Sequence, residues 1–367
     1  ESPSIMSERT VEEEYFVSWG IVGCGAVCEV KSGPAFYNCV GSKLKAVMSR
    51  DSSKAQDFAL RHSVDKAYTS VSDLVNDASV DAVYVATPPG GDRVRIASLV
   101  AAAKKPCYME KPLGRDGKEA KEISDAFEKA NVPLYVAYYR RCMPKFVMAK
   151  KALDEKKIGN IITGVTVTLH QSRHRQNKTH WRYNKEASGG GLFMDIGCHM
   201  LDLVEFMIGP ILNPIGRAYK TVDDQNVEDN VRGCWEHICP FNGSRLGGSC
   251  VFNFSSGGEM RDEIEITGTD GRMLISCFDT KPAEIRIGAD EIIKLEEEHP
   301  STVQQPMIQL VTQELFTRKE CNVNMQPSDL DPNIYLCSGE SAVRTSVVLD
   351  KLLGREKWSD DYIIIQS

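Results

Sequence analysis

The sequence predicts an α/β unit built on a doubly wound parallel sheet, followed by an α+β unit built on an open, largely antiparallel sheet. Three observations lead there. From residue 17 to 137, short apolar runs alternate with helical patterns, as parallel strands joined by crossover helices require. A glycine-rich turn, Gly20-Ile21-Val22-Gly23-Cys24-Gly25, closes the first of those runs. After Pro144 the texture changes to longer alternating runs linked by glycine-containing turns.

Taken in order, strands are predicted at 18–22, 44–48, 82–86, 107–109 and 134–137, with right-handed crossovers between them. Helices are predicted at 52–62, 92–104 and 116–130, the last opened by an Asp116 cap and an acidic first turn. In the second half, alternation marks strands at 161–169, 231–235, 249–254 and 262–266, and helical spacing marks 199–207, 303–316 and 334–353. At 367 residues the chain exceeds the size over which one core is usually extended, so two domains sharing a cleft are expected. The divisions are a loose acidic tail over 1–14, a nucleotide-binding domain over 15–140 and a substrate domain over 141–367. No repeat or low-complexity linker separates them, and the junction near 138–150 reads as a close-packed crossing.

With 42% hydrophobic and 26% charged residues, the composition is that of an ordinary globular protein. A net charge of -7 argues against a general nucleic-acid binder and points to small-molecule partners. No apolar run approaches the roughly 20 residues needed to span a bilayer. The twelve cysteines are scattered through apparent core segments, which favours reduced thiols and a cytoplasmic setting. Neither the Cys24/Cys28 nor the Cys234/Cys239 spacing is that of a zinc ribbon. His170, His174 and His180 lie close together, but they read as polar residues where a strand passes into a loop, so no metal is expected.

Gly23 and Gly25 follow a strand and precede a helix, the context a pyrophosphate loop needs: glycine lets backbone approach the phosphates, and Ala26 and Val27 open the helix with unpaired N–H groups. Cys28 stands where a smaller residue is commoner, and Gly33-Pro34 should distort the helix soon afterwards. The end of the second strand selects the cofactor. There Ser49 and Arg50 suit a 2′-phosphate, while Asp51 lies later and suits a helix cap, so NADP is favoured with NAD possible. Thr87-Pro88-Pro89-Gly90, at the carboxyl edge of the sheet, either lines the nicotinamide side or is a proline-stiffened turn.

The block Gly189-Gly190-Gly191-Leu192-Phe193-Met194-Asp195-Ile196-Gly197-Cys198-His199 is the other informative stretch. Four-residue spacing on a helix would let the Asp195 carboxylate orient the His199 imidazole and raise its proton affinity, and His suits proton exchange with a hydroxyl or carbonyl. The three glycines would let backbone approach a ligand.

Together with Glu110-Lys111-Pro112, Tyr139-Arg140-Arg141 followed by Pro144, Trp181-Arg182, and Val227-Glu228-Asp229-Asn230, that block makes the chain resemble the Gfo/Idh/MocA oxidoreductases over residues 19 to about 358. The resemblance implies a Rossmann domain carrying NAD(P), and a second domain that supplies the substrate cleft and often a dimer interface, hence a homo-oligomer. It implies that Lys111 contacts the nicotinamide ribose and substrate beside Glu110, that Asp195 binds or orients, and that His199 is the acid/base. Arg140, Trp181 and Arg182 would approach the substrate. One departure is Gly90-Gly91-Asp92, where such proteins commonly begin a helix with histidine. The chemistry implied is hydride transfer between nicotinamide C4 and a carbinol or carbonyl carbon of a sugar, polyol, cyclic diol or related compound. Lys111, its pKa lowered near the cofactor's positive ring, would polarise the substrate oxygen. The alternative is a dinucleotide-sensing regulator of the same fold, which has no use for an acid/base pair.

Overall fold

The computed structural model describes residues 16–172, 181–222, 226–258, 260–321 and 335–355. The tail 1–14, His174, His180 and Trp358 lie outside them.

The first sheet has six parallel strands in the order β3-β2-β1-β4-β5-β6: β1 Val17–Val22, β2 Ser42–Met48, β3 Lys66–Tyr68, β4 Ala82–Val85, β5 Cys107–Met109 and β6 Leu134–Val136. Every residue of β4 and β5 is buried, because helices cover both faces; that is why these strands read as continuous apolar runs. The predicted helix break occurs: α1 (Ala26–Val30) stops, and α2 (Gly33–Asn38) restarts with Pro34 in its first turn. α3 (Ser52–Arg61) is capped by Asp51, which accepts from Ser53 N at 2.9 Å and Lys54 N at 3.3 Å. α4 (Val71–Val75) and α5 (Arg93–Ala102) follow, and α6 (Gly117–Ala130) begins at Asp116, which accepts from Glu119 N at 2.8 Å.

A 3₁₀ turn, Tyr139–Cys142, and α7 (Pro144–Asp154) make the crossing into the second sheet. This sheet has eight strands in the order β14-β13-β12-β11-β7-β10-β9-β8: β7 Ile162–Ser172, β8 Leu212–Tyr219, β9 Asn230–Ile238, β10 Arg245–Ser256, β11 Arg261–Gly268, β12 Gly271–Ile275, β13 Ala283–Ile287 and β14 Glu291–Leu295. All its pairings are antiparallel except β7 with β10. The expectation that β7 gives way to a loop at His170 is corrected. His170 pairs with Asn253 on one side and Arg261 on the other, so two neighbours carry the strand on to Ser172.

Short α8 (Lys185–Ser188) and α9 (Cys198–Ile208) lie between β7 and β8, and α10 (Gln305–Cys321) and α11 (Gly339–Leu352) follow the last strand. Both late helices return to the first sheet's surroundings. Gln309 exchanges hydrogen bonds with the Val40 backbone at 2.9 and 3.1 Å, Gly117 N donates to Asp350 at 2.8 Å, and Val136 N donates to Cys337 O at 2.8 Å. The crossing is pinned by a buried fork: Arg141 donates to both Asp202 oxygens, at 2.9 and 2.6 Å, and to Ser341 at 2.9 Å.

His237 on β9 is fully buried. Its Nε2 accepts from Trp235 at 2.7 Å, and its Nδ1 donates to the Gly209 and Pro210 carbonyls, both at 3.0 Å. Burial pulls its pKa down to about 4, against the smaller effect of those carbonyls. Below about pH 6.5 the unfolded chain therefore takes up a proton that the native imidazole refuses, so stability falls as pH drops from about 6.5 to 4, by roughly 3 kcal/mol at most. His237→Gln is expected to narrow its stability gap to the parent protein as pH is lowered through that window, read by urea midpoints at pH 7 and 4.5. Parallel losses in the two proteins would reject the assignment.

Candidate active site

At the end of β1, Gly23 adopts φ 104°, a conformation that favours glycine, and a Cβ there would sit tightly, 3.3 Å from Thr87 Cγ2. Gly25 faces open space. Beneath the loop, buried Cys28 donates its thiol to Gly23 O at 3.1 Å, filling the place of the expected small residue. The N–H groups of Ala26 and Val27, at the start of α1, have no intrahelical acceptor. Loop, open face and these donors fit a dinucleotide pyrophosphate.

At the end of β2, Ser49 is half-buried and Arg50 exposed. Ser49 Oγ accepts from Asp51 N at 3.3 Å, while Asp51 is engaged as the α3 cap. Across the sheet, the Thr87 and Glu110 turns are fastened together by a residue that sequence reasoning passed over. Arg93 is fully buried, and its guanidinium donates to the carbonyls of Thr87, Glu110 (2.7 Å) and Pro112. The Glu110 carboxylate accepts from Tyr84 at 2.9 Å and from Gln304 at 2.6 Å. Backbone and side chain of Glu110 are thus both fixed, which aims the next residue, Lys111, at Asp195.

Lys111 Nζ donates to Asp195 Oδ1 at 2.8 Å and to Asp195 O at 2.9 Å, while Arg182 Nε donates to Oδ2 at 2.5 Å. Burial alone would raise the Asp195 pKa; Lys111 and then Arg182 reverse this and hold it at about 2. Burial likewise works against the Lys111 ammonium, but Asp195 outweighs it and leaves the pKa above the ordinary lysine range. The expectation of a lowered lysine pKa is therefore corrected: the adjacent carboxylate fixes the charge.

His199, 5% exposed, opens α9 among Tyr138, Tyr139 and Phe278, with ring centroids 6.1, 5.4 and 6.1 Å away. Its Nδ1 is buried with no hydrogen-bond partner among the described residues. Burial, then the charges of Lys111, Arg140 and Lys31, press its pKa well below the usual histidine value. The predicted Asp195–His199 pairing is corrected. Residues Phe193–Gly197 form a π-turn, whose i→i+5 spacing takes Asp195 out of α-helical register with His199, and both Asp195 oxygens are held by Lys111 and Arg182.

The glycine block is also corrected, because protein rather than ligand approaches it. A Cβ at Gly189 would lie 2.3 Å from Arg115 O, at Gly190 2.8 Å from Met194 Cγ, and at Gly191 2.6 Å from Glu228 O. Gly90, at the departure from the expected histidine, does the same job from the opposite side. Its N donates to Ala187 O at 2.9 Å, and a Cβ would meet that oxygen at 2.5 Å.

Arg140 is 9% exposed and sandwiched between the Tyr139 and Phe278 rings, at 4.9 and 4.7 Å, so it shares both rings with His199. Arg182 stacks over Trp181 at 4.8 Å. Lys111, Asp195, Arg182, Arg140 and His199 therefore form one cluster, whereas Ser49 and Arg50 sit apart at the strand edge. Three contributors were missed: Arg93, Gln304 and Lys31. A helix-start arginine and a loop glutamine carry no distinguishing sequence signal, and Lys31 resembles any solvated lysine.

Among the described residues, no group of three or more His, Cys, Asp or Glu is placed to hold a metal, and no helix is long and apolar enough to cross a membrane.

Two family models match the chain: the oxidoreductase family with an NAD-binding Rossmann fold over residues 17–138, and the GFO/IDH/MocA C-terminal domain over residues 146–274. The chain is similar to Oxidoreductase P35 of Formosa agariphila, with 35% identity over 297 residues, covering 80% of this chain and 89% of that protein. It is also similar to the trans-1,2-dihydrobenzene-1,2-diol dehydrogenase of Xenopus laevis, with 25% identity covering 74% of this chain and 79% of the relative. A levoglucosan dehydrogenase in complex with NADH and levoglucosan shares the fold, at TM-score 0.73 and 20% identity, over 92% of this chain and 96% of that one.

Proposed function

Because this chain belongs to the Gfo/Idh/MocA oxidoreductases, a family whose first domain is an NAD-binding Rossmann fold, we propose that it moves hydride between nicotinamide C4 and a carbinol or carbonyl carbon of a sugar, polyol, cyclic diol or related hydroxy compound. What supports this reading is a lysine paired with Asp195 whose charge, after burial, helps to lower the pKa of the buried His199. Relatives named for a dihydrodiol and for levoglucosan support the substrate range.

In oxidation, the neutral His199 imidazole takes the hydroxyl proton while the Lys111 ammonium stabilises the alkoxide forming on the same oxygen. The bound nicotinamide supplies the hydride acceptor. Asp195 and Arg182 hold Lys111 in place, and Arg140, Trp181 and Arg182 border the substrate. Gly23, Gly25, Ala26 and Val27 receive the pyrophosphate, with Thr87, Pro88, Glu110 and Lys111 toward the nicotinamide side. Residues 15–140 form the cofactor side and 141–367 the substrate side.

NADP(H) is the preferred cofactor, with Ser49 and Arg50 holding the 2′-phosphate, while the Asp51 carboxylate is engaged as a helix cap. Changing Ser49 to Asp and Arg50 to Ala is expected to weaken NADPH binding by roughly tenfold or more while sparing NADH, read by cofactor fluorescence titration. Equal losses for both cofactors would reject this selector. A panel of sugars, inositols and dihydrodiols followed by NADP(H) absorbance tests the activity itself. Cofactor binding without turnover of any compound would favour the regulator reading instead.

A further inference from the structure

Among the described residues, two cations whose charges act on His199, Arg140 and Lys31, form no ion pair. Arg140 donates Nε to Cys277 O at 2.9 Å and Nη1 to the Tyr139 hydroxyl at 2.7 Å, and its Nη2 makes no hydrogen bond among the described residues. Asp262, the carboxylate whose charge favours that of Arg140, is itself engaged, accepting the backbone N–H groups of Cys277 (2.9 Å) and Phe278. The far edge of the Arg140 guanidinium, Nη1 with Nη2, thus remains available as a fork of parallel donors. Lys31, at the end of α1, forms no ion pair among the described residues. It is exposed, yet its ammonium is pulled below the ordinary range, first by surrounding protein and then by Lys111 and Arg140.

The anions nearby are already engaged: Asp195 by Lys111 and Arg182, and Glu110 by Tyr84 and Gln304. Burial works against the Arg140 guanidinium, and its neighbours, Cys277 and Tyr139 first, outweigh that burial without forming an ion pair. An oxidised nicotinamide ring, itself positive, would add to the repulsion. The charged protein groups that act on Lys31 are Lys111, Glu110, Arg140 and Asp195, those of the His199 cluster.

We propose, building on the dehydrogenase reading above, that the sugar or polyol taken by this site carries an oxyanion substituent, a carboxylate or a sulfate ester, received on the Arg140 fork and covered by Lys31. The negative group neutralises the cationic pocket while the neighbouring carbinol lies between Lys111 and His199.

The test titrates the NADP⁺-saturated protein with D-glucose, D-glucuronate and D-glucose 6-sulfate, by calorimetry, at low and high salt. At least one oxyanion sugar is expected to bind about tenfold or more tightly than D-glucose, with a preference that weakens as salt rises and collapses in Lys31→Met. The ratio of the two charged sugars distinguishes carboxylate from sulfate. Arg140→Lys, which keeps the charge but loses the fork, is expected to weaken the carboxylate more than the sulfate. Equal affinities for neutral and charged sugars, or a preference that survives Lys31→Met, overturn the proposal. Turnover separates the two levels of reading: neutral sugars oxidised without any anionic preference refute only this inference. Absence of turnover across the panel counts against the dehydrogenase reading, while the binding constants still decide the oxyanion question.

Discussion

Replacing Lys111 by Met is expected to lower kcat by about two to three orders of magnitude while changing NADPH affinity only a few-fold. Methionine keeps much of the aliphatic stem but removes the charge that the proposed reaction aims at the forming alkoxide, and loss of a single such donor typically has an effect of that size. The substitution also has an acid-side signature. Asp195 sits at about pKa 2 because Lys111 and Arg182 overcome its burial. Native stability from this carboxylate is present above the unfolded value, near 4, and is lost as pH falls toward 2. Without Lys111 the carboxyl titrates higher, so acid unfolding of Lys111→Met should begin at a higher pH. Steady-state turnover, fluorescence titration of NADPH and an acid-unfolding curve provide the three readings. A variant with parental kcat would remove the lysine from the reaction.

His199→Asn is expected to cost about 10²–10⁴ in kcat, again with cofactor binding retained, because the amide can hydrogen-bond but cannot take the proton. Its pH profile separates chemistry from mere packing. The depressed pKa keeps His199 in its base form well below pH 6.5, so the acid limb of kcat/KM in the parent protein should fall below the ordinary histidine range. That limb should be missing from the residual activity of the variant. A limb retained in the Asn protein would assign the proton transfer to another group.

Much of the first sheet was readable from sequence because strands buried on both faces must be apolar throughout: 107–109 was placed to the residue. β3 was not, since Lys66-Ala67-Tyr68 is three residues long, lies at the sheet edge and alternates with solvent. In the site, Lys111, Asp195 and His199 were legible as residue types within two motifs, but their partnership was not. The four-residue argument assumes α-helical winding, and nothing in Phe193–Gly197 marks the extra residue that a π-turn takes in. Arg93 and Gln304 were invisible for a different reason. Their importance lies in the backbone carbonyls and carboxylate they meet far away in sequence, and a pattern of neighbours along the chain does not encode such meetings.

The Glu110 carboxylate draws one of its two hydrogen bonds among the described residues from a glutamine 194 residues further along. The nucleotide-carrying portion is therefore no cassette: transplanted alone, it would arrive with a desolvated carboxylate missing a donor beside its key lysine, and with the Val40 backbone stripped of Gln309. Grafting schemes that aim to move this chemistry onto another scaffold must carry Gln304 and the helix that follows it as well, or supply that amide from the recipient.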